Sequence, residues 1–186
     1  MRAFLPLAAV LFAVAFVACG GDDDDGGSAS LTPAETGPIF FTSDAFSSGG
    51  EIPAEYSCDG DNVSPALSWQ RLPAGTESLA LTMDDPDANG YAHWVMYNIP
   101  PDSTGLAADA PAVEELDDGS LQGVNGRGAI GYTGPCPPGG EHQYRFRLYA
   151  LDAEVDLEAG ATLAEVETAI ADHRLALSEL VGTYNR

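Results

Sequence analysis

From Pro38 onward the chain is a series of short apolar runs separated by turn residues, a texture that predicts a mainly β domain. "IFFTS" (39–43) and "ALSW" (66–69) read as short strands, with a turn-rich loop over 51–65 between them. "SLALTM" (78–83) is apolar enough for a buried strand. "HWVMYNI" (93–99) is the next, stopped by Pro100-Pro101. In "YRFRLYAL" (144–151), Tyr144, Phe146, Leu148 and Ala150 share one face and Arg145 and Arg147 the other, which predicts a half-buried antiparallel strand. Residues 102–143 form a long connection rich in glycine and proline, a length that implies a site or partial structure. The period then changes. "TLAEVETAI" opens on Thr162 with Glu165 three residues on, a capping box, and Leu163, Val166 and Ile170 line one helical face. "LALSEL" predicts a second short helix ending at Gly182. The pattern therefore predicts strands with one or two C-terminal helices packed on them.

The first nineteen residues do not belong to that pattern. Arg2 precedes a continuous apolar run that ends in small residues, which reads as an export signal rather than a membrane span. Its end, "FVAC", resembles a bacterial lipobox, with cleavage before Cys19 and lipid on the new N-terminal cysteine; an ordinary secretion signal is the alternative. Residues 20–37 begin "GGDDDDGGSAS" and read as a flexible acidic tether. The aspartate run lacks the spaced ligands of a calcium loop. Lipid on Cys19 would leave Cys58 and Cys136 as an even pair, either one disulfide in an oxidising compartment or two separate thiols. On this reading the protein is exported and membrane-anchored on the periplasmic or cell-surface side, with a folded domain over 38–186.

Charge narrows the partners. The chain has 29 acidic residues against seven arginines and no lysine, a formal charge of −22. A nucleic acid would be repelled at long range. An apolar content of 45% excludes a disordered acidic chain.

Two segments carry candidate chemistry. "DDPDANGYAHW" (84–94) holds three acids and one of three histidines. "GPCPPGGEHQY" (134–144) holds another. Each delivers a histidine, His93 or His142, at a strand entry, and loops at the ends of a sheet are where binding residues sit. Imidazoles, Tyr144 and glycine-rich backbone N–H groups can donate to phosphate oxygens. Asp85 and Asp87 cannot face a phosphate when ionised, but they can orient a histidine, accept backbone N–H groups or meet an ammonium group. The mixture fits phosphate plus amine. Asp84 reads as merely solvated, and His173 as a packing residue of the C-terminal helical region.

"DPDA" followed by "HW", then "GPCPP…H-x-Y", resembles the phosphatidylethanolamine-binding protein family, in its bacterial branch related to Raf kinase inhibitor proteins. "CDGDNVSPALSW", "YNIPP" and "LVGTY" belong to the same pattern, and the resemblance spans about residues 38–186. It implies an antiparallel β-sandwich with an anion pocket lined by Asp85, His93, Pro137, Pro138, His142 and Tyr144. Asp87, Tyr91 and Gly134 would support it. It implies a phosphate-like or phosphoethanolamine-like ligand, no cofactor, no catalysis, and for some members inhibition of a kinase or protease. In "NGRGAIGY", Arg127 stands where the family leads one to expect Asp-Phe nearby, and "NGYA" (89–92) is short, with Tyr91 in the approximate place of a tryptophan. Two other readings use the same residues. A hydrolase could draw on Asp85, His93 and Ser64, without a G-x-S-x-G elbow. A metal-dependent enzyme could draw on Asp85, Asp87, His93 and His142, in no tight ligand signature.

Overall fold

The computed structural model describes residues 38–186. The signal segment, Cys19 and the acidic tether lie outside the described residues. In chain order the elements are β1 (Phe40–Ser43), β2 (Gly50–Glu51), β3 (Leu67–Gln70), β4 (Ser78–Asp85), β5 (Tyr91–Ile99), β6 (Gly105–Leu106), β7 (Leu121–Gln122), β8 (Glu141–Leu151), α1 (Leu163–Ala169) and β9 (Arg174–Asn185). They build two sheets, a small one ordered β1-β3-β6 and a large one ordered β2-β9-β8-β4-β5-β7. Pairing is antiparallel except between β2 and β9.

The centre of the large sheet is β4, buried along its whole length. One face sends Leu79, Leu81 and Met83 into a core shared with Phe41, Leu67 and Trp69 of the small sheet. The opposite face sends Ala80 into a second core, with Val95, Tyr97, Tyr149, Val166 of α1 and Ile170 just past its end. An apolar run without alternation is what burial on both faces requires. The helix on the second face starts with the expected capping box: Thr162 accepts from the Glu165 backbone, and the Glu165 side chain accepts from the Thr162 N–H.

The second predicted helix is a strand. Residues 174–185 pair with β8 from Leu151↔Arg174 to Glu141↔Asn185. Leu, Ala and Glu favour helix locally, but a full ladder against a central strand outweighs that preference. Leu175 and Leu177 stay largely exposed on the outer face, and their presence disguised the alternation of buried Leu180, Gly182 and Tyr184. Gly182 is not a helix end. It lies within β9, where a Cβ would come within 2.5 Å of Ile52 Cγ1.

The long connection is ordered around one side chain. Buried Gln122 accepts from Trp94 Nε1 at 2.8 Å and donates to the carbonyls of Pro111 and Val113 at 2.7 and 2.9 Å. Two short strands, β6 and β7, interrupt it.

Candidate functional site

The opening histidine segment begins where β4 ends. Asp85 Oδ1 accepts from Ala88 N at 3.0 Å and caps the turn that Pro86 starts. Its other oxygen, Oδ2, accepts from His142 Nδ1 at 2.7 Å. One carboxylate therefore fixes both the turn and an imidazole from β8. Asn89 and Gly90 complete the turn with positive φ of 57° and 72°, conformations Asn and Gly tolerate best. Asp87 Oδ2 accepts from Gln143 N at 2.8 Å and ties the same turn to β8.

His93 reaches the site through a β-bulge. Met83 pairs with Trp94 but Asp84 with Ala92, so His93 is the extra residue on β5. A bulge re-aims side chains out of strict alternation. Here it brings His93 against Tyr144, which shares a β8 face with core residues Phe146 and Leu148. His93 packs edge-on against Tyr144 and Tyr91, with ring centres 5.1 and 5.0 Å apart. Its Nδ1 meets the carbonyl of Thr133 at 2.6 Å. A carbonyl only accepts, so Nδ1 carries the proton and Nε2 is the imidazole's other hydrogen-bonding atom. Burial is the main influence on this imidazole and lowers its pKa below the ordinary 6.5; the Arg127 charge acts in the same direction.

The wall opposite is the proline segment. Gly134 donates its N–H to Asn62 Oδ1 at 2.8 Å and packs so tightly on the Tyr56 carbonyl that a Cβ would overlap it. Cys58 N donates to the Pro135 carbonyl at 3.0 Å, and Cys58 and Cys136 are joined by a disulfide. The "CDGDN" stretch thus serves as backing for the wall.

These pieces enclose a cavity of about 200 Å³ lined by Asp85, Ala88, Tyr91, His93, Arg127, Thr133, Gly134, Cys136, Pro137, Pro138, His142 and Tyr144. All six residues expected to bind ligand are in that lining, as are Tyr91 and Gly134; Asp87 stands outside it as a brace. Tyr144 is fully buried, yet its hydroxyl has no well-formed hydrogen bond among the described residues. Burial, then the neighbouring Asp85 charge, raises its pKa well above 10, so it remains a donor. Thr133 Oγ1 is a second buried hydroxyl with no well-formed hydrogen bond among the described residues. Buried polar groups are rarely left poorly paired, and both of these hydroxyls belong to residues that line the cavity.

A model of one family, described as phosphatidylethanolamine-binding protein, matches residues 42–185. The chain belongs to the phosphatidylethanolamine-binding protein family. A UPF0098 protein of Methanothermobacter thermautotrophicus is 53% identical over 144 residues, 76% of this chain and 95% of that one. A Mycobacterium tuberculosis protein named "Putative lipoprotein LppC" is 38% identical over 199 residues, 98% of this chain and 96% of its own. The crystal structure of E. coli YbcL, described as a new member of the mammalian family, superposes with a TM-score of 0.74 at 30% identity, covering 81% of this chain and 99% of that one. The two-sheet, mainly β architecture is that of the phosphatidylethanolamine-binding proteins.

Other expectations fare differently. Asp84 is not solvated. It is 2% exposed and accepts from Arg145 and Arg147 at 2.6 and 2.9 Å on the helix-covered face, because two adjacent strand residues point to opposite faces. Its carboxylate raises the Arg145 pKa further. His173 is not a core residue but lies in the turn after α1, where it meets Asp152 at 2.9 Å on the surface. Ser64 is not brought to His93; its Oγ accepts from Ala110 N at 2.9 Å in a different cavity. Asp85, Asp87 and His142 do place ligand-type atoms within 4.8 Å of one another, without His93. Asp85, Asp87 and His142 already hold protein hydrogen bonds through such atoms. Thr133 and Arg127 escaped the sequence reading as lining residues. Thr133 had no signal, since its place depends on pairing with His93 across the fold. Arg127 had one: a lone cation between two glycines in an acidic chain.

Proposed function

We propose that this chain is an exported, lipid-anchored binding protein whose cavity holds the phosphate of a small molecule or lipid headgroup. The observation that supports the reading is the Tyr144 hydroxyl, a fully buried donor beside Asp85 and the Cys136 backbone but with no well-formed hydrogen bond among the described residues, in a cavity also lined by two histidines. Phosphate oxygens would accept hydrogen bonds from this hydroxyl and from that of Thr133. Asp85 acts through His142: its carboxylate holds the Nδ1 side and fixes the imidazole in the cavity wall. Asp87, exposed beside Asp85, offers a carboxylate to the amine of phosphoethanolamine. The cavity is below the roughly 300–1,000 Å³ of drug-sized pockets, a size for a headgroup rather than a whole lipid. The lipid anchor rests on "FVAC" ending at Cys19 and on the relative named as a lipoprotein, whose match spans nearly the whole chain.

Titration of the protein with O-phosphoethanolamine, followed by imidazole NMR, tests the pocket. His93 and His142 shift together and saturably; no shift at millimolar ligand would sink the reading. For the anchor, Cys19→Ser moves the expressed protein from the membrane to the soluble fraction, and unchanged fractionation would refute lipidation.

A further inference from the structure

One permanent cation, Arg127, lines the cavity, and no acid among the described residues neutralises it by direct contact. Arg145, Arg147 and Arg186 each meet a carboxylate, and Arg174 lies over the Tyr149 ring. The Arg127 guanidinium has no hydrogen bond or ion pair among the described residues, in a chain with 29 acids. Its backbone, by contrast, is firmly placed. Buried Asn125 accepts from the N–H groups of Arg127 and Ala129 at 2.9 and 3.3 Å and donates to Gly131 O at 2.9 Å. Gly126 donates to Ala92 O at 2.8 Å and lies on the Tyr91 ring, where a Cβ would overlap. The turn is thereby fixed to β5 beside His93.

The charge balance of the cavity gives this cation a role. Asp85 contributes a negative charge, and both its oxygens are engaged, by Ala88 N–H and His142. Burial disfavours the charged form of His93. Tyr144 and Thr133 offer hydroxyl dipoles but no charge. A singly charged phosphate needs little more than these donors. A doubly charged one faces the Asp85 carboxylate and requires a compensating cation, and Arg127 is the permanent one lining the cavity. A guanidinium also presents paired N–H donors that match two phosphate oxygens.

We infer that Arg127 is a specificity-determining residue of this pocket, favouring the dianion of a phosphomonoester over the singly charged phosphodiester of an intact lipid headgroup. The inference rests on the phosphate-binding reading above. It assigns a free phosphorylated small molecule, rather than a membrane lipid, as the class bound most tightly.

The test compares O-phosphoethanolamine with glycerophosphoethanolamine, the same headgroup as monoester and diester, by calorimetric titration of the full chain and of Arg127→Gln and Arg127→Lys. At pH 8 the monoester carries two charges, since its second pKa is about 6. The wild type prefers the monoester by about tenfold, the scale of one charge-assisted contact. Arg127→Gln loses that preference while still binding the diester, and Arg127→Lys restores part of it. Unchanged thermal unfolding shows that the exposed substitution leaves the fold intact. A preference retained in Arg127→Gln, or a wild type that binds both esters equally, overturns the role of Arg127 and leaves the phosphate pocket standing. A wild type that binds neither ester overturns both.

Discussion

Tyr144 and His93 show how burial can prepare a side chain for a ligand rather than for stability. The Tyr144 hydroxyl sits fully buried beside Asp85 and the Cys136 backbone with no well-formed hydrogen bond among the described residues, an arrangement that costs up to about 1–3 kcal/mol in the unliganded protein. Tyr144→Phe is therefore expected to leave the unliganded protein as stable or up to about 1 kcal/mol more stable, while phosphoethanolamine affinity falls about tenfold. Thermal unfolding with and without ligand measures both; a large stability loss with unchanged affinity would make the hydroxyl structural. For His93, burial lowers the folded pKa below 6.5. The unfolded chain binds a proton near pH 6.5 that the folded chain takes only at lower pH. Stability is thus unaffected by His93 above that pH and falls as pH drops from 6.5 toward the folded value. Urea unfolding at pH 7.5 and pH 5 should show this loss, reduced in His93→Gln. Both residues were legible as types in the sequence, but their roles were not. The bulge that turns His93 toward Tyr144, and the opposite destinations of Asp84 and Asp85, depend on register, which a single chain does not spell out.

At the level of elements, the large sheet carries different work on its two faces. The helix-covered face buries the Asp84 carboxylate between Arg145 and Arg147, and Arg147 also reaches Glu167 of α1 at 3.2 Å. Asp84→Asn removes the carboxylate that both guanidinium groups share, leaving Arg147 with Glu167 alone. It should cost roughly 2–3 kcal/mol, below a fully buried pair because the arginines keep some solvent. The denaturant midpoint should fall at unchanged slope, and the His93 and His142 titration shifts should survive because the pocket is on the other face. The proline wall makes a second element-level case. Removing the Cys58–Cys136 bond with a double serine variant should lower stability by about 4–5 kcal/mol on the chain-entropy scale. It should also weaken phosphate binding, since Cys136 lines the cavity; intact affinity would show that the wall holds without its staple. β8 was readable from its alternation because its outer face carries Arg145 and Arg147. β9 was not, because Leu175 and Leu177 place apolar groups on the outer face of "LALSEL", and only the ladder to β8 decides between helix and strand.

Across the described domain, two sheets and one helix bury a double core and leave a small, polar-lined cavity where the turn after β4, the start of β5 and the entry to β8 converge. That cavity draws its residues from segments about fifty positions apart, and the sheet order brings them together. The chain's negative charge would discourage a casual anion, so an anion held here is held by local donors. A structure of the protein soaked with O-phosphoethanolamine tests this most directly. The account predicts the phosphorus between His93 and His142, with an oxygen within hydrogen-bond distance of the Tyr144 hydroxyl. A cavity that holds only water at saturating ligand, or an anion seated instead on Arg145 and Arg147, would contradict it.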